Sequence, residues 1–480
     1  SASSRLIHGG LRYLEQFEFG LVRESCLERA LLLKNAAGLV WPERFAFPVR
    51  RGDRVGRAKL MAGMSLYTLL SIPRVLGLPS LISKGATLAR VPGMSPDGLR
   101  GAGSYLDAAT DDARLCLAVV RTALGRGAVC LSRAEVTSLE DGASGVSAEV
   151  LDRESGQRLE VRARRAILAG GPFSEALRER AGLSGRWISP TRGSHLLVPR
   201  ERLPTDGAVI FASPVDGRVM FLIPWMHQTA IGTTDLDQSA TDPSRPTRDE
   251  VQYLLDSANG LVPSADLGAG DVISTWSGLR PLLAAPEDDP SARSREERVE
   301  REGNCYTIAG GKLTGFRSMA EQLGARVARD LGRGDARKAS PTRRMRLVGA
   351  LDAPIERPAW SSTKPSAEAA LATAWDKRYA AERPAVEARV DPHDLALDAE
   401  TRLGEVDWAV EHEDALGLCD VLFRRTDVGY GRRDAVERAA SAVTERLRTR
   451  LGWDDGRTAR EQAELERELD RLHGWRIVER

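Results

Sequence analysis

Lysine is scarce in this 480-residue chain, and arginine carries most of its positive charge. Neither sign of charge dominates. The formal net charge is +1 and no stretch combines clustered Lys/Arg with spaced aromatics, so nucleic acid is not an expected partner. Cysteine is sparse as well: Cys26, Cys116, Cys130, Cys305 and Cys419 lie far apart, with no C-x-x-C pair. That spacing argues against a zinc site or a disulfide framework and predicts free thiols in a reducing compartment, the cytoplasm. No metal is expected. No apolar run reaches the roughly 18 residues that a spanning helix needs, and no signal-peptide pattern is visible. Internal repeats and low-complexity tracts are lacking too. What is present is a chain long enough for two or three domains, 42% hydrophobic and 29% charged, with the composition of a large globular enzyme.

The periodicity predicts a helix over 16–45, where Leu21, Val22, Cys26, Leu27, Ala30, Leu31 and Leu32 recur at spacings of three and four. Residues 55–90 begin as a helix that Pro73 and Pro79 interrupt. Their apolar residues with basic flanks suit either a core helix pair or a helix lying on a membrane surface. Residues 105–170 read as an α/β unit: a helix over 111–127, a strand in "AVCLSRAEVTSLE", then a hairpin turning at "ESGQ". "RAILAGGPFSEAL" predicts a buried strand that breaks at Gly170-Gly171-Pro172 into a helix, the place where α/β sheets bind ligands. Short strands across 186–300 predict an antiparallel sheet. The stretch "NCYTIAGGKLTGFRSMAEQLGARVARDLG" repeats the strand–Gly-Gly–helix arrangement. A linker follows at about 333–366, and the remainder is helical, with Val436, Ala440, Val443 and Leu447 and then Leu465, Leu469 and Leu472 at core spacing.

Several turns carry residues suited to chemistry. In "GGKLTGFR" (Gly310 to Arg317), two glycines after a strand let a planar ligand approach the backbone, and the helix start that follows favours negative charge. A Gly-Gly strand end can equally be a packing turn. "WSGLRPLL" places Arg280 in a loop bounded by Gly and Pro, with Arg295 fifteen residues on. "RGSHLLVP" puts His195 at a strand start, and "HGGLRYLE" offers His8, Arg12 and Tyr13. "IGTTDLD" adds two threonine hydroxyls at a tight strand end. Each arginine alone reads as a surface or packing residue. Together they are cations beside glycine turns, with histidines at hand, which suits binding and oxidising a small phosphorylated or carboxylated molecule.

In order along the chain, "SASSRLIHGGLRYLE", "DDARL", "GSHLLVPR", "FLIPW", "IGTTD", "SGLRPL", "GGKLTGFR" and "CDVLFRRTDVGYG" closely resemble the FAD-dependent, aerobic, quinone-linked glycerol-3-phosphate dehydrogenases over essentially the whole length. The resemblance implies a doubly wound, Rossmann-like α/β core (about 1–40, 105–180 and 300–332) with an antiparallel substrate sheet interleaved (about 41–104 and 181–299). These make up 1–345, and a helical cap spans 346–480. It implies FAD as cofactor, contacted by Ser1–Gly10 (Ser3, Ser4, His8, Gly9 and Gly10), by Gly170 and Gly171, and by Gly310, Gly311, Leu313 and Thr314. It implies a substrate pocket of Arg12, Tyr13, His195, Arg280, Arg295 and Lys312. The implied reaction is oxidation of sn-glycerol 3-phosphate to dihydroxyacetone phosphate. Flavin N5 takes the hydride, and electrons pass to a quinone at the inner face of the cytoplasmic membrane. His195 is the first candidate for the base, with Arg280 and Lys312 stabilising the developing alkoxide. A second copy of the chain is a further partner considered.

The pattern also departs from the family. No G-x-G-x-x-G occurs anywhere, whereas family members open with a strand, that turn, a helix and an acidic strand end, a unit of roughly 30–40 residues. The expectation is a chain cut before Ser1, or else a shortened protein that binds flavin weakly or not at all and serves as a non-catalytic remnant. "LAGGPF" stands where relatives carry an Asn-Ala-Thr-Gly-Pro-Trp-like turn, and Arg5 replaces the more usual Lys. An oxygen-using oxidase with the same pocket is a rival reading. An amino-acid oxidase is a weaker one, since a carboxylate needs only one Arg.

Overall fold

The computed structural model describes residues 2–241, 244–284, 297–334, 340–353 and 367–476. The first part of the chain supplies β1 (Leu6–Ile7), α1 (Phe19–Asn35), β2 (Val40–Arg50), α2 (Arg57–Leu70), β3 (Ser80–Ile82), α3 (Lys84–Arg90), β4 (Leu99–Thr110) and α4 (Asp112–Leu124). Three strands follow, β5 (Ala134–Gly142), β6 (Gly145–Asp152) and β7 (Arg158–Ala163), then β8 (Ala166–Leu168) and α5 (Ser174–Arg180). The middle holds β9 (Thr191–Pro199), β10 (Ala208–Ala212), β11 (Val219–Trp225), β12 (Gln228–Gly232), β13 (Leu236–Asp237), α6 (Arg248–Leu261) and β14 (Ser274–Arg280). After them come β15 (Glu297–Glu302), β16 (Cys305–Gly310) and α7 (Phe316–Asp330). The last part contains α8 (Ala367–Tyr379), α9 (Arg383–Glu387), β17 (Ala396–Asp398), β18 (Thr401–Arg402), α10 (Glu405–Glu413), α11 (Arg433–Leu451) and α12 (Asp455–His473).

A large mixed sheet runs in the order β1-β4-β2-β10-β11-β12-β9-β13, with β14 paired to β9 and β3 to β4. Its β2–β10 pair is parallel, and the others are antiparallel. A second layer, β15-β16-β8, keeps β16 and β8 parallel, with β15 antiparallel at its edge. The meander β5-β6-β7 stands beside it. This is a mixed α/β fold with a mainly helical C-terminal part, as the sequence pattern predicts.

Three readings need correction. The helix predicted over 16–45 stops at Asn35, because Gly38 takes φ 87° and the chain turns into β2. Aromatic and β-branched residues from Val40 onward then favour a strand. The strand predicted from "AVCLSRAEVTSLE" begins only at Ala134, after Arg133 in a left-handed conformation. The strand at 166–168 is buried at Leu168 alone. Ile167 is 48% exposed, because β8 pairs only with β16 among the described residues.

The capping signals explain the local folding. Asp111 accepts from the N–H groups of Ala113 and Arg114 at the start of α4 (3.0 and 3.1 Å), and Thr247 with Glu250 forms a capping box on α6. The stripe Val436, Ala440, Val443 and Leu447 is buried, as are Leu465, Leu469 and Leu472. These two helices pack into the cluster that also holds Phe45, Tyr105 and Trp276 of the large sheet. The Thr275 hydroxyl donates to the carbonyl of Leu472 at 2.6 Å. Buried pairs tie the cap to the core: Arg114 reaches Glu413 through two bonds of 2.7 and 2.6 Å, and within the cap Arg378 meets Glu405.

Candidate functional site

The site is built where β14 and β9 run side by side. Their register sets Trp276 opposite His195, Gly278 opposite Gly193, and Arg280 opposite Thr191. Because side chains alternate across a strand, Trp276, Gly278 and Arg280 share one face of β14. Gly278 lets the chain's first residues cross that face, since a Cβ there would collide with the carbonyl oxygen of Ala2. Trp276 Nε1 donates to the Ser3 carbonyl at 3.2 Å. Ser4 Oγ lies 2.8 Å from His195 Nε2.

His195 is buried. Its ring stacks on Trp276 with centroids 4.9 Å apart and planes 3° from parallel, and a Cβ at Gly232 would strike the ring's other edge. Nδ1 is buried without a hydrogen-bond partner. Burial, helped by the positive charge of Arg280, pushes the imidazole pKa down to about 3. Arg280 reaches across Gly193, where a Cβ would occupy the guanidinium's position. It donates to Asp235 Oδ1 (2.9 Å), Thr233 Oγ1 (3.0 Å) and the Thr234 carbonyl (3.1 Å). Lys312 places its Nζ 3.7 Å from the Tyr13 ring centroid, a short cation–π contact.

The His8-Gly9-Gly10 turn is anchored from both sides. The His8 N–H donates to Thr314 Oγ1 at 3.2 Å, and the Thr314 hydroxyl lies 3.1 Å from the His8 carbonyl. The Gly9 N–H donates to Tyr67 Oη at 2.8 Å and to Asp107 Oδ1 at 3.3 Å. Behind it, Arg29 and Asp107 form a fully buried ion pair at 2.6 Å, and Tyr67 donates to Asp107 at 2.8 Å. Gly10 adopts φ 81° and leaves its side-chain space to the Tyr13 ring.

These elements enclose a cleft of about 290 Å³ whose lining includes Ser3, Ser4, His8, Tyr13, His195, Arg280, Gly311, Lys312, Leu313 and Thr314, with Gly193 and Gly278. Gly9, Gly10 and Gly310 shape the cleft through their turns and do not line it. Gly310 and Gly311 both take positive φ (81° and 83°). Arg12 is exposed, its guanidinium 5.3 Å from the Tyr13 ring and outside the cleft. Gly170 and Gly171 sit at the end of β8, also outside it. Ser1 and Arg295 lie outside the described residues. Sequence reasoning missed Trp276 and the anchors Arg29, Tyr67 and Asp107. Trp276 had a signal, the shared strand face with Arg280. The anchors come from three distant segments and had none.

A cleft lined by the backbone turns at Ser3–Ser4 and Gly311–Thr314 and by the cations Arg280 and Lys312 suits a flat group with polar edges. The backbone turns in its lining, with Gly311 at positive φ, and the charged side chains of Arg280 and Lys312 fit the ring end of FAD.

A family model described as FAD dependent oxidoreductase matches residues 1–328, and one for the C-terminal domain of alpha-glycerophosphate oxidase matches 340–458. The aerobic glycerol-3-phosphate dehydrogenase of Staphylococcus aureus (strain USA300) is 33% identical over 329 residues, 67% of this chain and 59% of that protein. The chain thus spans about three-fifths (59%) of the length of the curated relatives it matches. The glycerol-3-phosphate dehydrogenase of Bacillus halodurans, solved with FAD, superposes with a TM-score of 0.75 at 27% identity, over 98% of this chain and 86% of that one. The L-alpha-glycerophosphate oxidase of Mycoplasma pneumoniae, with FAD bound, shares the fold at a TM-score of 0.51 and 19% identity, over 76% of this chain and 87% of that one.

Proposed function

This chain belongs to the family of FAD-dependent oxidoreductases, and from that premise we propose that it oxidises sn-glycerol 3-phosphate to dihydroxyacetone phosphate and hands the electrons to a quinone. The observation that carries the reading is the convergence of Arg280, Lys312 and His195 on one cleft. The backbone of Ser3 and Ser4, His8 and the turn Gly311–Thr314 are the residues that would hold the ring end of FAD. When bound, FAD supplies the hydride acceptor.

The chain's own groups do the rest. A dianionic phosphate needs fixed cations, and Arg280 and Lys312 supply them from the cleft's lining. As the C–H bond of the secondary alcohol breaks, charge grows on its oxygen, and the same cations stabilise it. Burial keeps His195 neutral, so one of its ring nitrogens can accept a proton, and Nε2 meets Ser4 Oγ at 2.8 Å; the same burial makes it a weak base, which an anionic substrate beside it would strengthen. Arg295, from outside the described residues, and Arg12, at the surface, belong to the same substrate set in this reading. So do Gly9, Gly10, Gly170, Gly171 and Gly310 to the flavin set. Residues 1–345 carry the site, and 346–480 form its helical cap.

No helix of the described residues is long and apolar enough to cross a membrane. A lipid-surface contact is supported by exposed Leu66, Leu69, Ile72, Val75 and Leu78, with Phe17 and Phe19 nearby and exposed Arg57 and Arg74 flanking them. This patch would bring the protein peripherally to the inner face of the membrane, where quinone is available. A homodimer is a further element of the reading.

The deciding experiment is an anaerobic absorbance titration of the FAD-incubated, desalted chain. A retained flavin band that bleaches with glycerol 3-phosphate is expected, and recovery with a quinone analogue identifies the acceptor. Stoichiometric peroxide on admitting air, without quinone turnover, would assign an oxidase instead. A retained band that glycerol 3-phosphate leaves unchanged would overturn the substrate.

A further inference from the structure

Arg5 sits at an unusual point. Its backbone is left-handed (φ 54°), and its guanidinium is almost buried among three carboxylates: Asp111 at 3.0 Å, Asp112 at 3.8 Å, and Asp427 at 2.8 Å. Asp111 and Asp112 belong to the core, and Asp427 belongs to the cap. The same guanidinium lies over Trp225, 3.8 Å from its ring centroid. Trp225 stands edge-on to Trp276 (4.8 Å, 84°), and Trp276 stacks parallel on His195. Ser4, the residue before Arg5, bonds the Nε2 of that histidine. A closed ring of contacts therefore runs Arg5, Trp225, Trp276, His195, Ser4 and back to Arg5. It borders a second cavity of about 50 Å³, whose lining includes Ser4, Arg5, Trp225, Trp276 and His195 as well as Asp427.

Each contact in this ring constrains the next. A parallel stack fixes the tilt of the imidazole plane, because either ring must turn for the other to turn. Trp225 fixes Trp276 by its edge, and a charged group over a desolvated indole face holds Trp225. Arg5 is held by its three acidic partners, with Asp427 accepting from both terminal nitrogens (3.2 and 2.8 Å). Without Asp427, only the core carboxylates Asp111 and Asp112 hold the guanidinium, and the cap no longer fixes its place over Trp225.

We infer that Asp427, Arg5, Trp225 and Trp276 are positioning residues that set the ring plane of His195, so that the C-terminal cap holds a group of the cleft in place. The proposal rests on the proposed reaction only in giving His195 its task. The charged or titratable groups around the assembly are Arg280 on the cleft side, Arg5, Asp111, Asp112 and Glu43 from the core, and Asp427, Tyr430, Arg378 and Lys377 from the cap.

The test uses the full chain with 15N-labelled histidine and follows the imidazole resonances against pH, with His195 identified by its loss in His195→Gln. In the parent protein the His195 ring stays neutral down to about pH 4. In Asp427→Asn and in Trp225→Phe its titration moves up by about one pH unit or more, as a loosened ring gains water. The control is Arg121→Met, which removes the Arg121–Glu382 pair (2.7 and 2.8 Å) from the same core–cap junction away from the ring. It leaves His195 unchanged. The proposal is overturned if both strap variants titrate like the parent, or if Arg121→Met shifts His195 equally. Should Asp427→Asn fail to fold, Trp225→Phe, which changes no charge, decides alone. Neither flavin nor substrate enters the measurement, so failure of the proposed reaction would not alter what the titration says about the strap.

Discussion

At the core–cap junction Arg114 meets Glu413 with both side chains out of solvent, whereas in the cleft Arg280 meets Asp235 with that carboxylate 40% exposed. Both are close arginine–carboxylate contacts, at 2.6 and 2.9 Å. The first pair is fully desolvated and bidentate, so each charge is consumed by the other. The second shares its carboxylate with water, which screens the attraction. A cation held that way is fixed in place by Thr233 and Thr234 yet keeps field to offer an incoming anion. The junction shows how this chain uses charge to fasten two parts together, and the cleft how it keeps charge available.

The sharpest way to break the comparison is to remove one partner on each side. Arg114→Ala leaves the buried Glu413 with Trp408 Nε1 (3.3 Å) and a longer approach of Arg425 (3.9 Å) in place of its bidentate partner, and the unfolding free energy falls by about 3 kcal/mol in a denaturant titration. The double variant Arg114→Met/Glu413→Leu recovers most of that loss. The pair also has a pH signature. Burial pushes Glu413 up, but Arg114, with Arg425 and Arg121 behind it, outweighs burial and holds it below the usual carboxylate range. Its contribution is therefore present above the ordinary carboxylate pKa and is lost as pH falls through the lower folded value. In the cleft, by contrast, Arg280→Met and Lys312→Met reduce the rate of flavin bleaching by about 10²–10³ and change thermal stability little. An Arg280→Met variant that bleaches normally would remove the cleft from the reaction.

How much of this was legible beforehand differs between the two regions for a physical reason. The strand–Gly-Gly–helix at 305–330 and the buried stripes of α11 and α12 follow from local periodicity. The residues that reached the cleft, such as His195, Arg280 and Lys312, stood in short motifs beside glycine. What locks them was not legible. Arg29, Tyr67 and Asp107 come from α1, α2 and β4, and Arg5 and Asp427 are 422 positions apart. No pattern of spacing relates such residues, because only the folded sheet order brings them together. The junction pairs were invisible on the same ground, as arginines scattered along a chain full of arginine. The overlong helix at 16–45 failed differently: one glycine at 38 redirects the chain, and helical spacing does not register a left-handed turn.

Two smaller effects sharpen the cleft side. Gly232→Ala puts a methyl group into the space of the His195 ring. The overpacking costs about 1–3 kcal/mol, and the ring must move off Trp276, so tryptophan fluorescence changes along with stability. The mildest test is titration itself. His195 is buried neutral with a pKa pushed down to about 3, while in the unfolded chain it takes up a proton near its ordinary value of 6.5. Below that value the unfolded state binds more protons, so stability falls as the solution is acidified, by up to about 1.4 kcal/mol per pH unit. In His195→Gln this term vanishes, and the difference between stabilities at pH 7 and pH 5 shrinks accordingly. The carboxylate terms at the junction remain in both proteins and cancel in the comparison. An unchanged difference would mean that His195 takes up its proton in the folded cleft as readily as in water, and the neutral base would lose its support.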